Sequence, residues 1–464
     1  MAAPGAQARF LEGSLFRHVT VMSLTSSVGL MAVFAVDFVN MIFISMLGRA
    51  ELAAAIGYAG AILFFTTSFG IGMGIGVGAL TARALGARDP AEARSRATNG
   101  LIIGIVFGAV FAAIVWSFLP QLATLLGATG VTHDLTVHYL AIVTPSQPLL
   151  MVGMIGAAIL RSHGDAQRAM WATVAGAIAN AVLDPILIFG FGLDLTGAAI
   201  ASVVSRVVIA AVALIPIQRH HGGFDPPNLR AALADLRPVL GIAFPAILTQ
   251  IATPVGAAFV TRIMAGFGEA AVAGMAITGR MTPVAFGIIF ALSGAIGPII
   301  GQNYGAGRID RVRRAFLDGL LFTLIVTIAV SALLFALRGP IADLFSATGE
   351  TRELVYLFCG PLSLAFFFNG IIFVSNAACN NLGRPLLSTL LNWGRHTLGT
   401  IPFALVFADW YGAPGVLIGQ AAGGVIFGLV SVWLAFYVIR HPAPRPVFPP
   451  RPPVTTGAAP DPDL

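Results

Sequence analysis

The chain contains no lysine: all 26 of its basic residues are arginine. That absence rules out a serine–lysine catalytic pair. No HExxH and no pair of acids at catalytic spacing stands in its place. Cysteine is almost as scarce. Cys359 and Cys379 lie on one expected helix, roughly 30 Å apart at ~1.5 Å per residue, so no disulfide can form between them on a straight helix. Charge is the third shortage. Charged residues make up 10% of the chain against 57% hydrophobic, and the mean hydropathy is +0.89, which excludes an ordinary soluble domain. The glycine-rich run SFGIGMGIGVGAL has no strand before it and no acid after it, so it does not read as a nucleotide-binding loop.

What the chain does have is an internal repeat. GALTARALGARDPAEARSRA from Gly78 returns as GPIIGQNYGAGRIDRVRRA from Gly297, with Gly86 on Gly305 at an offset of 219 residues. The same offset puts LRSHGDAQ from Leu160 on CNNLGRPL from Cys379, with Gly164 on Gly383. Looser matches set Leu47-Gly48 on Phe267-Gly268 and Gly197 on Gly415, so half of the protein repeats the other half. Each half holds about six apolar runs long enough to cross a bilayer, which gives an all-α integral membrane protein of twelve spans in two six-helix lobes. The expected lobes are residues 1–219 and 238–440, with a linker at 220–237 and a proline-rich disordered tail at 441–464. The linker reads as a loop leading into a short amphipathic helix. The apolar run from Phe16 is longer than a cleavable signal core, so the first helix is expected to stay in place.

Arginine sets the expected orientation. With the N-terminus inside, only Arg49, Arg262, Arg338 and Arg352 fall in outer loops, whereas Arg83, Arg88, Arg94, Arg96, Arg308, Arg311 and most of the others lie inside. Both termini are then cytoplasmic and the two lobes have the same orientation. The net charge of +6 is explained by anionic lipid on that side, with no nucleic acid as partner. On a helix, Gly70, Gly74 and Gly78 share a face where another helix can approach closely, for packing or for a hinge.

Candidate chemistry lies in ionisable residues inside spans, each of which costs roughly 2.5–3.5 kcal/mol or more at bilayer depth. Asp37 is deep in the first span. Asp184 follows Asn180 at i, i+4, immediately before Pro185, and Ser202 adds a hydroxyl after the next turn. In the overlay Asp37 meets Ala257 or Ala258 and Asp184 meets Phe403 or a neighbour, so the second lobe has no matching acid. Two buried carboxyls near one another can load and release protons near neutral pH; an oxygen-lined sodium site is the alternative. Arg206, Arg280 and Arg395 also lie within spans, and a pairing of Arg206 with Asp184 is expected.

The stretches VDFVNMIFISMLGRAELAAAIGYAG, ALGARDP, GQNYGAG and NAVLDPILIFGFGLDLTGAAIAS resemble those of multidrug and toxic compound extrusion (MATE) transporters, over the whole chain up to the tail. The resemblance implies two lobes in a V about a central cavity, exchanging cation influx for export of amphiphilic, often cationic, compounds. It is closest to the DinF-like branch, where acids sit in the first lobe; Asp37, Tyr139, Asn180, Asp184 and Ser202 occupy the cation-coupling positions, with Ser202 where threonine is usual. Second-lobe positions that are acidic in NorM-like members are neutral here, at Gln250 or Thr253 and at Asn369. The usual proline early in the first helix is missing.

The implied protein is a proton-coupled antiporter, with sodium held by Asp37, Asn180 and Asp184 as the alternative ion. It needs no cofactor, acts as a monomer on small organic substrates, contacts membrane lipid and resides in a bacterial inner membrane. Asn40, Phe64, Gln250, Asn369, Arg280 and Arg395 are candidate cavity residues. A lipid-linked oligosaccharide flippase would use the cavity arginines to hold a pyrophosphate, and a membrane enzyme acting on lipid would use Asp37 or the His133/His138 pair.

Overall fold

A computed structural model describes residues 8–444, and among those residues every regular element is helical. The disordered tail expected from residue 441 lies outside the described residues from 445 onward. In the first half run α1 (Leu15–Met46), α2 (Ala50–Gly86), α3 (Pro90–Ser117), α4 (Leu119–Leu125), α5 (Gly130–Val143), α6 (Gln147–Ser162), α7 (Ala166–Pro185) and α8 (Asp194–His220). The second half holds α9 (Leu229–Ala265), α10 (Glu269–Ala285), α11 (Gly287–Gly305), α12 (Ile309–Leu344), α13 (Gly349–Leu357), α14 (Ser363–Asn381), α15 (Pro385–His396) and α16 (Ile401–Arg440).

Breaks explain why sixteen helices make twelve spans. Pro145, in the turn Thr144–Ser146, divides α5 from α6 inside one span, and a bend of 49° at Phe286 divides α10 from α11. A π turn at Phe358–Leu362, with Gly360 out of helical geometry, divides α13 from α14 and separates the two cysteines' segments; both cysteines are buried and free. The last apolar stretch, Pro385–Arg440, is 56 residues long and holds two spans, because it folds back at Gly412 (φ 66°). A Cβ on Gly415, Gly419 or Gly423 would strike the carbonyl oxygens of Phe407, Phe403 and Gly399 in turn. Four residues up one arm match four down the other, which is an antiparallel hairpin.

The repeat is visible as symmetry. A Cβ on Gly86 would lie 1.9 Å from the Gln302 carbonyl, and one on Gly305 would lie 2.0 Å from the Arg83 carbonyl. These are the same contact under the 219-residue offset, so the pseudo-twofold axis passes between them. Each lobe's second helix lies against the other lobe's first: α2 on α9 and α11 on α1. The glycine run of α2 serves two neighbours. Gly70, Gly74 and Gly78 face Met154, Ala158 and Ser162 of α6, while Gly72 and Gly76 press on the backbone of α9 at Ala243 and Val239. Without a hydrophobic drive between helices in lipid, such close backbone approach is the main packing term. Gly164 and Gly383 take the same left-handed turn (φ 76° and 83°); Arg88 (φ 60°) takes the turn that Gly307 (φ 77°) takes in the second lobe.

The lobes close on the face that carries the termini. There Arg83 donates to the carbonyls of Asn380 and Asn381 (2.9 and 3.0 Å), and Gln302 Nε2 donates to the Ser162 carbonyl (2.7 Å). The segment Arg9–Leu11 lies across this seam, with Phe10 and Leu11 buried. Beyond the Met31–Gly287 crossing the lobes part, and Asp37, Phe38, Met41 and Val284 are exposed, giving a V that opens away from the termini. The linker differs from expectation. Residues from Leu229 begin the long α9 rather than a separate short helix, because Asp235 is buried against Arg96 and Asn99 of α3 and Asn228 caps the helix start.

At the turn between α6 and α7, Asp165 caps α7 and pairs with Arg168 (2.6 Å) and with His221 of the linker (2.9 Å); His163 lies beside His221, ring centroids 4.6 Å apart. Burial alone would raise the Asp165 carboxyl, but the His221 hydrogen bond and Arg168 hold it below the usual range. Burial lowers His163 to about 4, against a weaker upward pull from its hydrogen bond to the Ile159 carbonyl.

Candidate functional site

Within the first lobe, α5, α7 and α8 bring four of the five expected residues together. One turn apart on α7, Asn180 Nδ2 donates to Asp184 Oδ2 at 2.9 Å. Pro185 then ends the regular helix and a π turn, Ile186–Gly190, leads toward α8. Asp184 is 1% exposed, and its Oδ1 has no hydrogen-bond partner among the described residues. From α5, the buried Tyr139 hydroxyl meets Ser202 Oγ of α8 at 3.4 Å. Arg206, Asp184 and Asp37 lie within electrostatic reach of Tyr139. Asp37, on α1, is exposed and makes no hydrogen bond or ion pair among the described residues. One carboxyl is thus sealed within the lobe and the other is exposed on α1.

Arg206 does not pair with Asp184. Its Nη1 donates to the Val143 carbonyl (3.1 Å) and to Ser146 Oγ (2.9 Å), so it staples the 3-10 break between α5 and α6, where the Gln147 N–H turns to Thr144 and leaves the Val143 carbonyl free. His138 is bonded to Thr196 (2.9 Å) on the exposed side of α5, and His133 to the Pro120 carbonyl and Asp134; the two histidines form no joint centre.

The expected cavity residues divide. Asn40, three residues after Asp37, is half-buried with Oδ1 unpartnered, and Phe64 is exposed. In the second lobe Gln250 and Asn369 are half-buried, and Asn369 Oδ1 is also unpartnered. Arg280 is exposed and Arg395 half-buried, and neither guanidinium has a partner among the described residues. Sequence reasoning missed the polar seam of Arg83, Gln302 and Phe10 and the buried His396. The seam was signalled by its place at the end of each repeat; His396 stood beside Arg395 without any motif.

Two homologous six-span lobes in a V, one holding a buried acid site, define a multi-pass membrane transporter. The chain belongs to the MatE family, whose profile matches residues 26–186 and 245–406, one segment in each lobe. It is 30% identical to a FAD transporter of Shewanella oneidensis over 434 residues, covering 92% of this chain and 95% of that one. The multidrug export protein MepA of Staphylococcus haemolyticus is 25% identical over 436 residues, covering 93% and 94%. The solved structure of the Vibrio cholerae MATE transporter VcmN matches with a TM-score of 0.85 and 26% identity over 91% of this chain and 96% of that one. The chain is therefore a transporter and not an enzyme, and the lipid-enzyme alternative falls.

Proposed function

We propose that this protein is a cation-coupled antiporter that exports amphiphilic organic compounds across a bacterial inner membrane, with proton as the coupling ion and the coupling site in the first lobe, as in the DinF-like branch. The observation that carries it is Asp184: a carboxyl 1% exposed, bonded to Asn180 through one oxygen and to nothing through the other, with Asp37 open at the cavity wall. A buried carboxylate with one bare oxygen and no paired arginine is costly, and a proton removes that cost.

The face bearing the termini gathers Arg83, Arg88, Arg94, Arg96, Arg308, Arg311, Arg313 and Arg314, which supports its being cytoplasmic. On that reading the lobes are closed to the cytoplasm and the cavity faces outward. Protonation of Asp37, passed to Asp184 through Tyr139 and Asn180, changes the first lobe's hydrogen bonding and favours release outside; proton loss to the cytoplasm resets it. Sodium on Asp37, Asn180 and Asp184 is the competing ion, and a lipid-linked oligosaccharide is the competing cargo.

The test uses purified protein in sealed liposomes and follows ethidium and FAD under an imposed pH gradient and then a sodium gradient. The expected result is solute movement driven by the pH gradient and reduced at least about tenfold in Asp37→Asn. Movement driven only by sodium would replace the ion. Full proton dependence in Asp37→Asn would remove the site, and movement of neither solute under either gradient would overturn the exporter reading.

A further inference from the structure

The second lobe has a polar centre that the acid site does not use. The overlay of the two halves sets Asp37 opposite Ala257 or Ala258, directly after Gly256, and the 219-residue offset sets Gly399 opposite Asn180. Where the first lobe continues as helix, the second breaks: residues 397–400 leave α15 and re-enter α16 as turns. A discontinuous helix inside a span frees backbone groups and is tolerated where it lines a cavity or binds solute. The last turn before this break carries Arg395 and His396.

The His396 side chain faces into the lobe, against Gly256 of α9, and Arg395 is half-buried. Asn392 donates to Asn376 of α14 at 3.0 Å, and Trp393 Nε1 donates to the Leu248 carbonyl of α9 at 3.0 Å, so α15 is wedged between those helices. Arg395 and His396 follow Asn392 by three and four residues and keep to its face. His396 is 5% exposed, and neither ring nitrogen has a partner among the described residues. Its ring occupies the space that a side chain at Gly256 would fill, with Nδ1 2.4 Å from where that Cβ would be. The Arg395 guanidinium is likewise unpaired, and Asn369 of α14 holds a buried unpartnered oxygen. No acid lies on α9, α10, α14 or α15 between their ends to answer these groups, Glu269 and Asp235 being near helix starts; α16, which also packs on α9 and α15, carries Asp409, exposed and three residues before the fold-back at Gly412. A guanidinium and an imidazole left without partners at bilayer depth are donors that call for a ligand that accepts hydrogen bonds and carries negative charge.

We propose that the second lobe holds an oxyanion site, centred on Arg395 and His396, that binds the phosphate or carboxylate of an organic substrate. The duplication has thus divided the work: acids in the first lobe take the coupling cation, and basic residues at the matching depth of the second take the anionic end of the cargo. This rests on the transporter reading for its purpose but not for its chemistry. The similarity to a FAD transporter supplies the probe class, since flavins exist with and without a phosphate.

The experiment measures equilibrium binding of riboflavin and of flavin mononucleotide by flavin fluorescence, to the full chain in phosphatidylcholine nanodiscs. The wild type is expected to bind the phosphorylated flavin roughly ten- to a hundredfold more tightly, as one or two charge-assisted hydrogen bonds provide. Arg395→Gln and His396→Asn should each collapse that ratio toward one while leaving riboflavin affinity within about threefold, which also shows that the variants fold. Arg395→Lys should restore part of the preference. A wild-type ratio near one, or a ratio untouched by both second-lobe variants, overturns the proposal. So does loss of the preference when phosphatidylglycerol is added to the discs, which would identify a lipid headgroup as the occupant. Preferential binding without gradient-driven transport would keep the site and remove the exporter reading; the reverse result would do the opposite.

Discussion

Asp184 and His163 are both buried titratable residues, and they lead to different expectations. Asparagine is nearly isosteric with a protonated aspartic acid, so if Asp184 rests protonated, Asp184→Asn keeps the contact to Asn180 and adds no charge. Its unfolding temperature in detergent should match the wild type, a change within about 1 kcal/mol, while proton-driven transport is lost. A large fall in stability would mean that the ionised carboxylate is needed for packing. His163 lies on the terminus face, where His221, Asp165 and Arg168 surround it. Burial lowers it from the ordinary 6.5 to about 4, so as pH falls the unfolded chain takes up a proton before the folded one. The stabilisation is complete above pH about 6.5 and drains away toward pH about 4, by up to about 3 kcal/mol. His163→Gln should therefore flatten the fall in unfolding temperature between pH 7 and pH 4.5. Parallel curves for the two proteins would contradict it.

At the scale of elements, the segment Arg9–Leu11 is the part of the closed face that joins both lobes through so few residues. The Phe10 backbone N–H donates to Gln302 Oε1 (3.0 Å), its carbonyl accepts from Asn303 (3.1 Å) and Arg311 (3.0 Å), and the Leu11 carbonyl accepts from Arg308 (2.8 Å). The Phe10 ring sits over Gly164 of the other lobe. Phe10→Ala removes the ring but leaves the backbone bonds, at a cost of about 3 kcal/mol or more for a buried Phe. It should raise amide exchange at Gln302–Gly305 selectively, leaving α12 and α14 protected; uniform protection would show that the strap does not hold the seam. Little of this was legible in the sequence, because a three-residue turn outside the repeat has no periodicity to read. The paired loops were legible because duplication printed them twice, and Asn180 with Asp184 because i, i+4 spacing fixes a shared helix face. The glycine run was half legible: spacing of four showed the α6 face, whereas Gly72 and Gly76 found their use only against the other lobe. Arg206 reads in the sequence as the partner of Asp184 because a nearby acid is visible in the chain, while its partner in the structure, the Val143 carbonyl freed by a 3-10 turn, is not. The break at 397–400 was signalled by Gly394, Gly399 and Pro402, but a count of apolar runs passes over them.

For the whole molecule, alternating access requires that the terminus face open while the far face closes, and the symmetric contact around Gly86 and Gly305 is where that opening must begin. The buried Asp184 lies in the first lobe and the buried His396 in the second, so a rocking motion of the lobes changes the distance between them without rearranging either. That makes the seam a place where transport can be stopped mechanically, with both binding sites intact. A Cβ on Gly301 would lie 2.9 Å from the Cβ of Ala82 across the seam, so a disulfide, which prefers about 3.8 Å, needs the helices to part by under about 1 Å. In a background with Cys359 and Cys379 replaced by alanine, the pair Ala82→Cys and Gly301→Cys should crosslink under mild oxidant. Transport should stop on oxidation and return on reduction, while each single cysteine variant transports in both conditions. Flavin binding from the open side should survive the crosslink, because the sites lie beyond the seam. Crosslinked protein that still transported would show that this seam stays shut throughout the cycle, and that the lobes do not rock about it.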